Sequence, residues 1–336
     1  MTDGQNALRE LLADLLSPVL APNAGTSLAI RQLQRLTGGA AAQTWAFTAA
    51  ADAASYDLIL RLGQEHQQFG AALSKRQEAE VIRTAREHGV LVPEVLATLP
   101  HDCEQGEGFV MRRIDGETLP QRLLRDERYA AAREILTEQC ADNLSAIHAI
   151  PCTMLTELPK LDAATQINLY RQAYLTYPLR SPVFEYAFRW LQRNCPQEQG
   201  EALVHGDFRN GNLLVNERGI TAVLDWELAH IGDPMEDLGW LCVNSWRFGC
   251  RDKPVGGFGE RADLYRAYER ASGQYVSAER VHYWEVFGTL KWGVICLYQA
   301  HVHLSGSEPS LERAAIGRRV SECEIDLLAL LRGQQP

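Results

Sequence analysis

Residues 203–240 read LVHGDFRNGNLLVNERGITAVLDWELAHIGDPMEDLGW. His205-Gly206-Asp207 follows the apolar pair Leu203-Val204, and Asn212 stands five residues after the aspartate. Asn216–Gly219 is a polar, Gly-ended run between two apolar stretches, Asn212–Val215 and Ile220–Leu224. That pattern predicts a hairpin. Asp225 comes directly after its second strand. On both sides of this island the texture is helical, with helices expected over 119–149, 163–175, 182–194, 261–272, 278–304 and 309–332. Prolines 151, 159, 182, 196, 254 and 309 fall near the breaks. Short strands embedded in a helical region commonly hold a site between their ends.

Upstream the pattern changes. Leu8, Leu11, Leu12, Leu15 and Leu16 share one face of a helix expected over 6–17. Strands are expected at 27–35, 45–50, 56–62, 95–99 and 108–114, with one helix at 73–89 ending at Gly89. The chain is therefore read as α+β: a small β-rich domain over 1–114 and a larger helical domain over 115–336. Its 336 residues are 46% hydrophobic and 23% charged, with net charge −10. Length alone leads one to expect about two domains. The acidic balance argues against nucleic-acid binding, which needs a basic footprint. No apolar run reaches the roughly 18 residues of a membrane span, and MTDGQNALRE does not read as a secretory signal. Eight cysteines at 103, 140, 152, 195, 242, 250, 296 and 323 form no C-x-x-C pair. They read as reduced thiols of a cytoplasmic protein. The expected assembly is a monomer or a homodimer.

The spacing H-x-D-x-x-x-x-N resembles the catalytic loop of the kinase superfamily, and a later Asp at a strand end resembles its metal-binding aspartate. The chemistry accounts for the residue types. Phosphoryl transfer needs an acceptor hydroxyl aimed at the γ-phosphate and cations that neutralise the phosphates. Asp207 is read as the base that orients the hydroxyl and takes its proton. Asn212 and Asp225 are read as oxygen ligands of Mg²⁺, a hard ion. His205 is read as bracing the loop. Arg209 is a candidate contact to the γ-phosphate or the acceptor, and Glu227 a candidate for the acceptor pocket.

LVHGDFRNGNLLV followed by VLDWELAHIGDPMEDLGW is similar to the aminoglycoside phosphotransferase (APH) family, related in fold to choline kinases and more distantly to protein kinases. The resemblance implies a bilobal kinase-like fold, ATP and Mg²⁺. It is nearest to the branch associated with acyl-CoA dehydrogenases, which implies a hydroxyacyl-type metabolite as acceptor. Carried upstream, the resemblance makes Thr37–Gln43, with Gly38 and Gly39, the phosphate loop. It makes Arg61 the phosphate clamp where the family often has lysine, and Glu78 (or Glu80) its helix acid. It makes Met111, Arg112, Arg113 and Ile114 the adenine-facing hinge segment. An antibiotic kinase and a catalytically inactive nucleotide-binding module remain as alternatives; H-R-D, D-F-G and A-P-E are not found together, which argues against a protein kinase.

The segment 244–261 carries Arg247, Arg251, Lys253 and Arg261 against Asp252 and Glu260, interleaved with Trp246, Phe248 and Phe258. Local positive charge with apolar surface suits an anionic acceptor with an apolar part. Lys291 stands in the middle of the apolar stretch 282–304, where a buried ammonium needs a partner; an acid or the acceptor would serve. His301 and His303 lack the i,i+4 spacing of a helical metal pair.

Overall fold

The computed structural model describes residues 3–22, 28–36, 42–51, 54–63, 72–197 and 200–336. The chain divides into two compact units, one up to Asp115 and one running from Gly116 to Pro336.

In the first unit, α1 (Asp3–Leu20) is followed by β1 (Ala29–Arg35), β2 (Ala42–Ala51) and β3 (Ala54–Gly63), then α2 (Lys75–Glu87), β4 (Val95–Thr98) and β5 (Gly108–Arg112). The strands form one antiparallel sheet in the order β1-β2-β3-β5-β4. Leu8, Leu12, Leu16 and Leu20, each four residues apart, bury one stripe of α1 against Phe47, Leu58, Leu60 and Val110 of the sheet. Each buried leucine contributes roughly 1.5–3 kcal/mol relative to exposure; the helix runs past both expected ends, with Leu20 the last buried residue of the stripe. Arg61 lies within β3, opposite Thr44 of β2 and Phe109 of β5. Helix α2 opens on a capping box: Ser74 Oγ accepts from the Gln77 N–H at 3.2 Å, and the Gln77 side chain accepts from the Ser74 N–H at 3.1 Å.

The second unit holds α3 (Pro120–Arg125), α4 (Ala130–His148), α5 (Ala163–Thr176), α6 (Pro182–Arg193), β6 (Ala202–Val204), β7 (Leu213–Asn216), β8 (Gly219–Val223), β9 (His230–Gly232), α7 (Met235–Cys242), α8 (Arg261–Ser272), α9 (Ala278–Ser305), α10 (Leu311–Gly317) and α11 (Val320–Leu330). The helix expected over 119–149 is broken at Asp126, whose side chain caps a short 3-10 turn by accepting from the Arg128 N–H at 3.0 Å. The helix expected over 309–332 is broken after Gly317; a Cβ there would lie 2.7 Å from Ala300 Cβ, so α10 meets α9 at van der Waals limits. Helix α7, which begins right after Pro234, was not expected. It crosses the long buried helix α9 through glycines on both sides. A Cβ at Gly239 would sit 2.6 Å from Trp284 Cβ, and one at Gly288 would sit 2.8 Å from Trp240 Cε3. That close approach puts Trp240 and Lys291 beneath the loop that follows β6.

Candidate active site

β6 ends at Val204, and the chain turns at Gly206 with φ +78°. A Cβ at Gly206 would stand 2.4 Å from the Leu228 carbonyl oxygen, so only glycine fits. The turn aims the next side chain, Asp207, which is mostly buried. Three donors converge on its carboxylate. Trp240 Nε1 and Arg209 Nε donate to Oδ1 at 2.8 and 3.0 Å, and Asn212 Nδ2 donates to Oδ2 at 2.6 Å. Asn212 Nδ2 also reaches the Asp207 carbonyl at 2.9 Å. The spacing of five residues is thus a closed loop with its amide locked across its aspartate. The Arg209 guanidinium lies 4.5 Å from the Trp246 ring centroid, a cation–π stack.

The β7–β8 hairpin explains why Asp225 follows Asn212 at its distance. Leu213 pairs with Val223, and the Leu224 N–H donates to the Asn212 carbonyl at 2.9 Å. Asp225 is therefore one residue beyond the partner of Asn212. Its φ is +69°, in the left-handed region that non-glycine residues enter at a cost of order 1–3 kcal/mol. Both residues offer oxygen, the Asn212 amide oxygen being the atom left once Nδ2 is committed to Asp207. Among the described residues no three His, Cys, Asp or Glu side chains gather into a metal cage. Two protein oxygens fit Mg²⁺, which keeps few protein ligands and completes its shell with phosphate oxygens and water.

His205 is wholly buried. Its Nδ1 accepts from the Asp207 N–H at 3.1 Å, so Nε2 carries the hydrogen and donates to the Leu224 carbonyl at 3.1 Å. One ring ties the Asp207 backbone to the end of the strand that delivers Asp225. Burial pushes its pKa below the ordinary imidazole value, outweighing the opposing pull of Asp237, Asp207 and Asp225. The neutral tautomer is the one these bonds require.

Sequence reasoning did not pick out Asp237, the first-turn acid of α7. It is fully buried and accepts from the His205 N–H at 2.8 Å, the Gly206 N–H at 2.9 Å and His148 Nε2 at 3.1 Å. Burial alone would raise its pKa. The hydrogen bond and charge of His148, followed by His205, outweigh it and hold the carboxyl below its usual value. The Tyr268 hydroxyl, 2.8 Å from His148 Nδ1, extends the network. The only local signal was an acid in the first turn of a helix.

A family model described as "Phosphotransferase enzyme family" (APH) matches residues 32–273. The chain belongs to the APH phosphotransferase enzyme family. Mouse acyl-CoA dehydrogenase family member 10 is 27% identical over 201 residues, 56% of this chain, and mouse family member 11 is 30% identical over 150 residues, 41% of it. Each match spans 18% of the relative's own length. Among solved structures, a Ralstonia eutropha JMP134 protein described as a candidate aminoglycoside phosphotransferase has TM-score 0.74 and 21% identity, covering 94% of this chain and 95% of that one. Spectinomycin phosphotransferase APH(9)-Ia, solved with ADP and spectinomycin, has TM-score 0.66 and 15% identity, covering 97% and 98%. At such identities the likeness establishes the protein-kinase-like fold.

In the first unit of this APH-family chain, Arg61 NH2 lies 3.5 Å from Glu78 Oε1, and Lys75 Nζ bonds Glu78 Oε2. Glu78 is 1% exposed, whereas Glu80 pairs on the surface with Arg83 at 3.7 Å. Lys75, which sequence reasoning passed over, makes the acid a two-cation junction. Gly38 and Gly39 lie outside the described residues. Met111 pairs with Ile59 within the sheet and is half-buried. The Arg112 N–H donates to the Glu94 carbonyl and the Arg113 N–H to the Asp57 carbonyl, both at 2.9 Å. The expected backbone donors of this segment thus reduce to Ile114, which is half-buried.

The expected basic acceptor loop is largely turned inward. Arg247 is fully buried: Nε and NH2 donate to the Cys242 carbonyl at 3.2 and 2.8 Å, and NH2 pairs with Glu285 at 3.1 Å. Glu285 also takes Arg261 at 2.6 Å. Lys253 pairs with Glu260 at 3.0 Å, and Arg251 is exposed. The physical reason is that Glu285, buried in α9, needs cationic partners, and the loop supplies them. Lys291 is buried too, with Nζ 3.0 Å from the Gly206 carbonyl and 3.8 Å from Glu236 Oε1. Burial works against its charge, but Tyr170, Glu236, Asp207 and Asp237 more than offset this and raise its pKa. The acceptor contact expected of Arg247 or Lys291 would need a solvent-facing side chain, which neither has. Glu227 is half-buried beside the end of β8.

Proposed function

We propose that this APH-family phosphotransferase is an ATP- and Mg²⁺-dependent kinase that phosphorylates a hydroxyl group of a small anionic metabolite of the hydroxyacyl-CoA or hydroxy-acid type. The observation that carries the reading is the Asp207 carboxylate. It has about four lone-pair positions, and three hold Trp240, Arg209 and Asn212. The fourth, on Oδ2, is the position for an acceptor hydroxyl. Asp207 orients that hydroxyl and takes its proton as the oxygen attacks the γ-phosphorus. Asn212 and Asp225 hold Mg²⁺, which neutralises charge on the phosphates when bound. Arg61, fixed by Glu78, supplies a cation to the nucleotide phosphates, and the Met111–Ile114 segment receives the adenine.

Three features support an anionic acceptor. Arg209 lies beside the base and on the face of Trp246, so a polycation at Asp207 would meet a guanidinium. Arg251, five residues after Trp246, adds exposed positive charge. The curated relatives bear acyl-CoA dehydrogenase names. The deciding experiment is an ATP-consumption screen with 4-hydroxyacyl-CoAs, free hydroxy acids and kanamycin. Turnover restricted to anionic acceptors is expected; turnover restricted to kanamycin would overturn the acceptor assignment, and no turnover with any acceptor, together with no ATP binding, would overturn the kinase reading.

A further inference from the structure

We propose that Trp240, seated on the Lys291 ammonium, is a positioning residue that fixes which oxygen of Asp207 receives the acceptor's proton. The inference rests on the reading of Asp207 as the base.

Of the three donors to Asp207, Arg209 is 22% exposed on a flexible stem. Trp240 is 3% exposed and its ring is clamped. Gly288 presses on one side, Trp246 stands 5.1 Å away between centroids, and Lys291 Nζ lies 4.7 Å from the ring centroid. Lys291 is itself fixed by the Gly206 carbonyl at 3.0 Å. The same cation therefore holds the backbone before Asp207 and the indole that grips the Asp207 side chain.

The choice of an indole has a chemical reason. Its N–H donates and cannot accept. It holds Oδ1 without competing for the proton, as an imidazole or hydroxyl would. A cation on the ring face draws electron density from the indole and strengthens its N–H as a donor. With Trp240 and Arg209 on Oδ1, proton transfer is directed to Oδ2. There the O–H bond of the acceptor breaks and an O–H bond to Oδ2 forms. The acceptor oxygen bonds to the γ-phosphorus, and the bond to the bridging oxygen breaks with its electron pair leaving on ADP.

The test uses the full chain with Mg·ATP and water as acceptor, reading slow ATP hydrolysis. Trp240→Phe keeps an aromatic face toward Lys291 and removes the N–H together with the five-membered ring that carries it. It is expected to lower kcat at least tenfold with the KM for ATP within twofold. Lys291→Met is expected to lower kcat similarly, and the double variant to be no worse than the poorer single one. A second measurement leaves Trp240 intact: in protein labelled with ¹⁵N-indole, one resonance, lost in Trp240→Phe, is expected to move upfield in Asp207→Ala. If kcat of Trp240→Phe stays within twofold of the parent, or no indole resonance responds to Asp207→Ala, the proposal is wrong. Failure of the underlying reading looks different: Asp207→Asn would then hydrolyse ATP at the parent rate.

Discussion

Asp237 carries no reacting group, yet three buried donors depend on it. Asp237→Ala strips one acceptor from three buried donors: the His205 and Gly206 N–H groups and His148 Nε2, at 2.8, 2.9 and 3.1 Å. Each buried donor left without a partner costs about 1–3 kcal/mol. Allowing for partial relief by an entering water, the sum is about 3 kcal/mol. Because each 1.36 kcal/mol is a factor of ten, opening of the Val204–Asn212 segment should become more than about a hundredfold more frequent. Native-state hydrogen exchange on a peptide spanning 203–212 reads this locally, without requiring that the two units unfold as one. Asp237→Asn, which keeps one acceptor oxygen and the shape, should lie between parent and Asp237→Ala. Unchanged exchange of the His205 and Gly206 amides in Asp237→Ala would refute the reasoning, since it would mean that other groups satisfy them.

Asp207→Asn should cut turnover by about 10²–10⁴-fold, the usual range for general-base help, while calorimetry shows Mg·ATP binding retained. Asp225→Ala should weaken Mg·ATP binding more than Asn212→Ala, because it removes a full charge; equal affinity in parent and both variants would exclude the pair as ligands. Burial lowers the His205 pKa, so the unfolded chain protonates first as the pH falls, and this contribution to stability is lost below about pH 6.5. His230, whose raised pKa reflects Glu236 overcoming its burial, acts with the opposite sign. The measurement is therefore the difference in urea midpoint between parent and His205→Asn from pH 7 to 5, expected to narrow on acidification. Neutralising Arg251 and Lys253 together should raise the acceptor KM by at most about thirtyfold, an effect that fades with added salt, as exposed charges worth about 0–1 kcal/mol each do; an acceptor KM unaltered at low salt would make that loop idle.

The residues legible from sequence are those whose partners are close along the chain. Asp207, Asn212 and Asp225 lie within one strand-hairpin-strand run, so spacing together with the strand context and the VLDWE that follows singles them out, and the structure adds the bonds that explain the spacing. The α1 stripe is legible for the same reason, its leucines repeating every turn. Asp237 was invisible because its partners are 31, 32 and 89 residues away, and an acid opening a helix looks ordinary. The broken helices at Asp126 and Gly317 show the same limit: a cap on a 3-10 turn and a contact with Ala300 override a continuous apolar period.

The basic residues teach a sharper lesson. Sequence makes Arg247 a candidate acceptor contact because its segment is locally basic and interleaved with aromatics, and gives Lys291, in an apolar stretch, either an acid or the acceptor as partner. Both belong to an apolar context, Lys291 between Leu290 and Trp292 in a largely apolar helix and Arg247 between Trp246 and Phe248. A charge in such a setting must be compensated internally before it can serve a ligand. Glu285 and Glu236, on α9 and α7, provide that compensation. Apolar flanks therefore mark a cation as part of the support beneath the site, whereas Arg209, flanked by Phe208 but followed by Asn210-Gly211, keeps one edge in solvent and one on Asp207. By that criterion the proposed acceptor contacts are Arg209 and the exposed Arg251 and Lys253 rather than Arg247 or Lys291.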